Sequence, residues 1–330
     1  MPHILMLNHF HPDAVRRLRE TAGYTVETIP EVTREALLAR IGEADAVLVR
    51  STRIDRPVIE AAGRLRLLCR HGVGYDSIDV PALTERNILL TVTPDANAVS
   101  VAEHTLMLLL AAARRLAAYD ANVRAGTWGP RPELPTFDLA GRTVLVVGFG
   151  RIGARVARLC LAFGMTVLVY DPYVPGNTIK GAGCLPARTL AAGLAEADAV
   201  TLHCPSNEET RGMVDRDFLA AMKPGAVLVN SARGTVVREE ALAEALHGRH
   251  LAGAGVDVFW EEPVPRGSPL LDAPNLMMTP HSAASTAQGL HRMAMSCAES
   301  VLTYFAGNLD PDVVVNREVL ARVNDVPGAG

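Results

Sequence analysis

The stretch Thr143-Val-Leu-Val-Val-Gly148-Phe-Gly150-Arg-Ile-Gly153 decides the fold class of this chain. Mostly branched, apolar residues run directly into the pattern G-x-G-x-x-G, and apolar side chains at helical spacing follow from Ile152 to Phe163. The stretch therefore predicts a strand, a tight turn and a helix, the arrangement that binds a dinucleotide. Gly148 permits the sharp turn, Gly150 leaves room for a pyrophosphate, and Gly153 lets the helix pack closely on the strand.

The next predicted strand, Thr166–Tyr170, ends at the acidic residue Asp171. An acid at this place accepts hydrogen bonds from the ribose hydroxyls of the adenosine half and repels a 2′-phosphate. N–H groups at the start of the helix, near Arg151 and Ile152, would face the diphosphate. No arginine directly follows Asp171, so we expect NAD rather than NADP as the cofactor. The glycine pattern alone would also be compatible with a structural turn that binds no cofactor.

Length and composition limit the class of protein. A chain of 330 residues, 49% hydrophobic and 21% charged, is typical of a globular protein with two domains. A net charge of −4 argues against a nucleic-acid partner. The longest apolar stretch, residues 106–113, is too short to cross a membrane. The five cysteines lack zinc or redox spacing, which favours reduced thiols, a cytoplasmic location and no metal site.

Strands and helices alternate on both sides of the glycine turn, which favours parallel sheets with right-handed crossovers. We expect an α/β protein with two doubly wound parallel-sheet domains. A Rossmann NAD domain, residues 99–285, would be inserted into a flavodoxin-like substrate domain, residues 1–98 and 286–330. Between the two halves, a long helical stretch rich in Ala and Leu is predicted from Val99 to about Asn122, and a proline-rich crossing loop from Trp128 to Asp138.

Polar residues follow several apolar strands of the second half. Arg233 lies in Asn230–Gly234, Glu262 lies in an acidic segment that begins at Asp257, and His281 lies between a strand and a helix. An arginine fork matches the two oxygens of a carboxylate, and an unperturbed histidine titrates near neutral pH. The alternatives are a surface arginine, a solvated acidic loop and a structural histidine. Beside a nicotinamide, the three side chains favour hydride transfer at a carbonyl.

The chain resembles the D-isomer-specific 2-hydroxyacid dehydrogenases over almost its whole length. The resemblance leans toward the phosphoglycerate dehydrogenase branch, but hydroxypyruvate and glyoxylate reductases stay open. The motifs that carry the resemblance are, in chain order, Arg50-Ser51, Gly72-Val73-Gly74-Tyr-Asp76, Val101-Ala-Glu103-His104, Gly148-Phe-Gly150-Arg-Ile-Gly153, His203-Cys-Pro205 with Thr210, Asn230-Ser-Ala-Arg233-Gly, Asp257-Val-Phe-Trp-Glu-Glu262-Pro and Thr279-Pro-His281.

The resemblance implies roles for these residues. Arg233, Glu262 and His281 would be the catalytic residues, and Asp257 would meet the nicotinamide carboxamide. With the glycine turn and Asp171, the residues expected at the cofactor are Gly148, Gly150, Arg151, Ile152, Gly153, Asp171, His203, Cys204, Pro205, Thr210, Ser231, Ala232, Arg233, Asp257, His281 and Ala283.

The resemblance also implies how a small 2-hydroxy or 2-keto acid is bound. Backbone N–H groups of Gly72, Val73 and Gly74 would hold its carboxylate, since glycines let main-chain donors approach an anion. Arg50 and Ser51 would meet a second anionic group. We further expect a homodimer formed through the NAD domain, and none of the regulatory C-terminal domain that many phosphoglycerate dehydrogenases carry.

Departures from the family pattern put the size of the substrate in doubt. Pro94-Asp95 stands where relatives often have Pro-Gly, and Ser282-Ala283-Ala284 where they have Ile-Gly-Gly. An NAD-sensing, corepressor-like binding protein with the same core is the alternative of another class. A formate dehydrogenase-like enzyme is disfavoured, because such enzymes carry glutamine at the place of Glu262.

Overall fold

The structure of the protein, a computed structural model, describes residues 1–127 and 136–324. The chain divides into two compact units, one of Met1–Asn97 with Ser285–Gly330 and one of Ala98–Ala284. Most of the predicted crossing loop, residues 128–135, lies outside the described residues.

The first unit is built on a five-stranded parallel sheet with the order β2-β1-β3-β4-β5. This is the flavodoxin-like order, as predicted. The strands are β1 His3–Leu7, β2 Thr25–Ile29, β3 Ala46–Val49, β4 Leu67–Arg70 and β5 Leu89–Thr91. The helices are α1 Pro12–Arg19, α2 Arg34–Ile41, α3 Arg56–Ala61, α4 Val80–Glu85, α12 Ala287–Phe305 and α13 Glu318–Asn324.

Both faces of this sheet are covered by helices. Successive side chains of a strand point to opposite faces, so Leu5 packs in one apolar cluster with residues of α2 and α3. Ile4 packs in the other cluster, with residues of α1 and α12. Burial on both faces explains why the strands are nearly continuous runs of apolar residues.

The second unit contains a seven-stranded parallel sheet with the order β12-β11-β10-β9-β6-β7-β8. Counted from β6, this is the doubly wound order of a Rossmann domain, extended by one strand. The strands are β6 Thr143–Val147, β7 Thr166–Tyr170, β8 Leu185–Pro186, β9 Ala199–Leu202, β10 Ala226–Asn230, β11 Leu251–Val256 and β12 Leu276–Met278. The helices are α5 Ala98–Ala113, α6 Leu116–Arg124, α7 Arg151–Ala162, α8 Gly176–Gly181, α9 Leu190–Glu196, α10 Arg216–Ala221 and α11 Glu239–His247.

The glycine turn adopts the predicted strand–turn–helix conformation. Gly148 has φ +93°, a backbone conformation that L side chains rarely adopt. A Cβ at Gly153 would lie 2.0 Å from the Gly148 carbonyl oxygen, so only glycine lets α7 approach the turn. A Cβ at Gly150 would have no atom within 4 Å. The absence of a side chain at Gly150 is therefore not required by contacts within the protein.

The predicted helical stretch from Val99 to about Asn122 is helical in the structure, with one break. The chain forms α5 and α6, separated by Arg115 in a left-handed conformation with φ +53°. Most of α5 is buried, whereas α6 buries none of its residues. Leu116, Tyr119 and Val123 of α6 are exposed, so α6 does not continue the buried face of α5. Within the two described ranges, no helix combines the length and apolar character that a bilayer crossing requires.

The glycine contacts predict opposite effects for two alanine substitutions. Gly153→Ala should lower the free energy of unfolding by about 1–3 kcal/mol or more, because its methyl group meets backbone atoms that cannot yield. Gly150→Ala is the matched control, since its methyl group enters open space, and it should change that free energy by no more than about 0.5 kcal/mol. Chemical denaturation of both variants checks this. Equal stabilities would contradict the packing role of Gly153.

Candidate functional site

The glycine turn and Asp171 lie against each other at the carboxyl ends of β6 and β7. One Asp171 carboxylate oxygen accepts the Phe149 N–H at 2.7 Å, and the other accepts the Tyr173 N–H at 2.9 Å. The Gly148 N–H donates to the Tyr170 carbonyl at 2.9 Å. A carboxylate oxygen accepts more than one hydrogen bond, so Asp171 retains capacity for a ribose hydroxyl beside the turn.

The segment after β9 lies next to this turn, because β9 pairs with β6. The His203 N–H donates to the Val147 carbonyl at 2.7 Å, and the Thr210 hydroxyl donates to the Pro205 carbonyl at 2.6 Å. Burial lowers the pKa of His203 to about 3 and raises the pKa of Cys204 to about 11. Both side chains are therefore uncharged near neutral pH.

Arg233 lies in a turn whose shape is set by Asn230 at the end of β10. The Asn230 side chain accepts the Ala232 N–H at 3.0 Å and donates to the Arg233 carbonyl at 2.9 Å. Gly234 follows, and a Cβ there would lie 1.9 Å from the Phe259 backbone. The close approach joins the Arg233 turn to the segment that leads to Glu262.

His281 and Glu262 form a hydrogen-bonded pair. The His281 Nδ1 lies 2.7 Å from a Glu262 carboxylate oxygen, and the other oxygen accepts the Phe259 N–H at 3.0 Å. Burial of the Glu262 carboxyl acts to raise its pKa, but the hydrogen bonds from His281 and Phe259 and the charges of His281 and Arg233 lower that pKa overall. The carboxylate form is thus favoured, and it orients the ring so that only Nε2 is left for a reacting group.

Asp257 holds the turn that carries His281. Its buried carboxylate accepts hydrogen bonds from the Thr279 hydroxyl at 2.6 Å, the Ser282 N–H at 2.8 Å and the Ala283 N–H at 2.9 Å. Its backbone carbonyl accepts the His281 N–H at 2.7 Å. His281 has φ +50°, a conformation that non-glycine residues adopt only where surrounding contacts enforce it.

His104 of α5 extends this network, which the sequence did not reveal. Its Nε2 lies 2.9 Å from the Thr279 hydroxyl oxygen. Because a hydroxyl carries one proton, and Thr279 donates that proton to Asp257, the His104 Nε2 must donate in turn. One sequence signal for this network was available, namely a polar residue directly after each of two neighbouring strands. Val256 pairs with Met278, so Asp257 and Thr279, the next residue of each strand, lie side by side.

The residues of this unit fit a dinucleotide. Gly150 is the N-cap of α7, a twelve-residue helix, and it has no side chain to cap the first N–H groups. These N–H groups can therefore donate to a diphosphate. Ser231 and Ala232 are buried at the end of β10, where the Ser231 hydroxyl lies 2.6 Å from that of Thr105. Asp171, the 203–210 segment, Asp257 and Ala283 all follow strands at the same sheet edge.

The predicted substrate residues lie in the other unit, at the carboxyl ends of its strands. Arg50 and Ser51 follow β3, and the Ser51 N–H lies 3.3 Å from the Asn8 side-chain oxygen that accepts it. The Gly72 N–H donates to the Thr93 hydroxyl at 3.0 Å. It is therefore engaged within the fold, which leaves the N–H groups of Val73 and Gly74 as the better anion donors of that loop.

Comparison with known proteins decides the family. Residues 106–283 match the family described as D-isomer specific 2-hydroxyacid dehydrogenase, NAD binding domain. The chain belongs to this family. The match covers more than half of the chain and confirms the resemblance and the NAD cofactor predicted from the glycine turn.

Two relatives and one solved structure illustrate the similarity. The chain is 42% identical over 326 residues to the D-3-phosphoglycerate dehydrogenase of Mycobacterium tuberculosis, covering 97% of this chain but 61% of that relative. It is 40% identical over 295 residues to the glyoxylate reductase of Korarchaeum cryptofilum, covering 87% of each.

The fold resembles that of a D-lactate dehydrogenase from Aquifex aeolicus complexed with NAD and lactic acid. The TM-score is 0.84 and the identity 28%, over 95% of this chain and 99% of the other. This similarity confirms the predicted two-domain α/β fold.

The buried side chain of His71, next to the predicted substrate-binding loop, makes the stability of the first unit depend on pH. His71, directly after β4, is 5% exposed and contacts the Phe10 ring edge-on at 5.1 Å. Burial, followed by the charges of Arg50 and Arg70, lowers the pKa of His71 to about 4. Between pH 6.5 and pH 4, His71 is therefore protonated in the unfolded chain but not in the folded chain.

Stability should consequently fall as the pH drops through this range. The contribution of His71 to the loss is about 3 kcal/mol at pH 4. His71→Gln should remove that part of the pH dependence, whereas the exposed control His247→Gln should keep it. Unfolding free energies measured from pH 7 to pH 4 check this. A His71→Gln profile parallel to that of the unmodified protein would contradict it.

Proposed function

We propose that the chain catalyses the NAD-dependent interconversion of a small D-2-hydroxy acid and its 2-keto acid. The observation that carries the proposal is the His281–Glu262 pair, at 2.7 Å, in a unit that has the NAD-binding fold. We propose a substrate of the phosphoglycerate type or the hydroxypyruvate/glyoxylate type. The relatives named as a phosphoglycerate dehydrogenase and a glyoxylate reductase support this range.

His281 moves the proton in the proposed reaction. Its Nδ1 is committed to Glu262, so its Nε2 donates a proton to the carbonyl oxygen of the keto acid during reduction. In oxidation the same nitrogen accepts the hydroxyl proton. The Glu262 carboxylate stabilises the charged ring that forms. Bound NADH supplies the hydride that reduces the carbonyl carbon.

Arg233 binds the substrate and stabilises charge on its carbonyl oxygen. A guanidinium carries a fixed charge and several donors in one plane, which suits a carboxylate and a neighbouring oxygen. The effect of Arg233 on the pKa of Glu262 supports a position near the proton-transfer pair. Asp257, which holds the His281 turn, also meets the nicotinamide carboxamide in the proposal.

The ends of β3 and β4 carry the proposed carboxylate and phosphate contacts. The N–H groups of Val73 and Gly74 bind the substrate carboxylate, and Arg50 with Ser51 binds a second anionic group. An anionic substituent such as a phosphate would give Arg50 a partner, so the phosphoglycerate type is favoured within the range. Residues 1–98 and 286–330 are the substrate domain in this proposal, and residues 99–285 the NAD domain.

We further propose a cytoplasmic homodimer that forms through the NAD domain. All five cysteines are free, which is expected in a reducing compartment. Apolar side chains are exposed along α5 and α6 of this domain, and a partner surface would cover them. They are Val99, Met107, Leu116, Tyr119 and Val123.

A substrate panel tests the proposed activity. The unmodified protein should oxidise NADH with one or more of 3-phosphohydroxypyruvate, hydroxypyruvate, glyoxylate and pyruvate. Where the hydroxy acid is chiral, the reverse reaction should use the D but not the L form. Turnover should fall about 10²–10⁴-fold in His281→Ala and about 10²–10³-fold in Arg233→Ala, since each removes a group that acts in the transition state. His247→Gln serves as the histidine control.

Absence of turnover on every member of the panel would reject the proposal and favour an NAD-sensing binding protein. Near-normal turnover of His281→Ala or Arg233→Ala would remove that residue from the mechanism.

Asp171 should set the preference for NAD over NADP. Asp171→Asn keeps an acceptor for the Phe149 N–H but removes the charge that repels a 2′-phosphate. The ratio of kcat/KM for NADH to that for NADPH should therefore fall, and fall further in Asp171→Ala. Asp217→Ala, an exposed carboxylate on α10, is the control. An unchanged ratio in both Asp171 variants would mean that another residue discriminates between the cofactors.

A further inference from the structure

Three metal-ligating side chains converge within the first unit, apart from the residues used above. His11 and Asp13 lie at the start of α1, and His291 lies on α12. One potential ligand atom from each lies within 4.8 Å of the others. The imidazole rings of His11 and His291 contact each other edge to face, with centroids 4.7 Å apart. The start of α1 and α12 therefore bring the two histidines together.

The separations match those between ligands of one metal ion. The His291 Nε2 lies 3.2 Å, and the His11 Nδ1 3.6 Å, from the same Asp13 carboxylate oxygen. Ligand bonds of about 2.1 Å in a tetrahedral site place neighbouring ligand atoms about 3.4 Å apart. The three ligand atoms as a set lie within 4.8 Å of one another, so rotation of the side chains would have to bring them to this spacing around an ion.

One neighbouring contact competes with an ion: the Asp13 N–H donates to the His11 Nδ1 at 3.3 Å, a long hydrogen bond that a bound ion would replace. Arg16 pairs with the other Asp13 carboxylate oxygen, so the oxygen facing the histidines is not the one it engages. A surface depression lined by Ala287, Gln288, His291 and Arg292 adjoins the cluster and gives room for water as a further ligand. All three side chains are partly exposed, so an ion can reach them.

We propose that His11, Asp13 and His291 form a binding site for a divalent transition-metal ion, with Zn²⁺ the best match. Two imidazoles and a carboxylate, with water in the fourth position, are a donor set that Zn²⁺ accepts. Mg²⁺ and Ca²⁺ prefer oxygen ligands. The bound ion would join the start of α1 to α12 and stabilise the unit, because binding to the folded state alone raises its stability.

Titration of the untagged full-length protein with ZnCl₂ tests the proposal. Calorimetry should give one Zn²⁺ per chain, and Co²⁺ should give the visible absorption of a tetrahedral complex. Zn²⁺ should raise the melting temperature, and MgCl₂ at the same concentration should not. The readouts do not depend on any enzymatic activity.

Matched variants locate the site. His291→Gln, which leaves the start of α1 unchanged, should abolish the stoichiometric Zn²⁺ binding, and Asp13→Asn should weaken it at least tenfold. His9→Gln, in the same segment but outside the cluster, should bind as the unmodified protein does. No stoichiometric binding, or equal binding by His291→Gln, would overturn the proposal and leave the cluster as a hydrogen-bonded histidine–aspartate–histidine group.

Discussion

The candidate site depends on one buried carboxylate. Asp257 accepts hydrogen bonds from the Thr279 hydroxyl and two backbone N–H groups, while its carbonyl accepts the His281 N–H. A buried acceptor that loses such a partner costs about 1–3 kcal/mol, so these bonds together outweigh the unfavourable backbone conformation of His281. The ring is thereby fixed with Nδ1 on Glu262, and its chemistry follows from that orientation.

Parallel strand pairing brings these residues together. Asn230, Asp257 and Thr279 stand at or just beyond the ends of β10, β11 and β12, and the pairing registers place them side by side. Asn230 shapes the Arg233 turn, Asp257 shapes the His281 turn, and Thr279 connects Asp257 to α5 through His104. Polar groups from distant parts of the sequence therefore meet at one sheet edge, where ligands of doubly wound folds bind.

Local patterns in the sequence were enough to predict the architecture. The glycine turn and the acid after β7 depend on near neighbours in the chain, and the structure has both of them. The break at Arg115 was missed because apolar residues continue beyond it at helical spacing, at Leu116, Tyr119 and Val123. The His104–Thr279 contact and the engagement of the Gly72 N–H join residues far apart in sequence, so no local pattern encodes them.

The tautomer of His281 shows whether Glu262 orients the ring. A free neutral imidazole prefers the proton on Nε2, whereas the Glu262 contact requires it on Nδ1. Nitrogen NMR of ¹⁵N-histidine-labelled protein, with the signal assigned from a His281→Gln sample, distinguishes the two forms at a pH where the ring is neutral. We expect the proton on Nδ1; a ring protonated only at Nε2 would show that Glu262 does not orient His281.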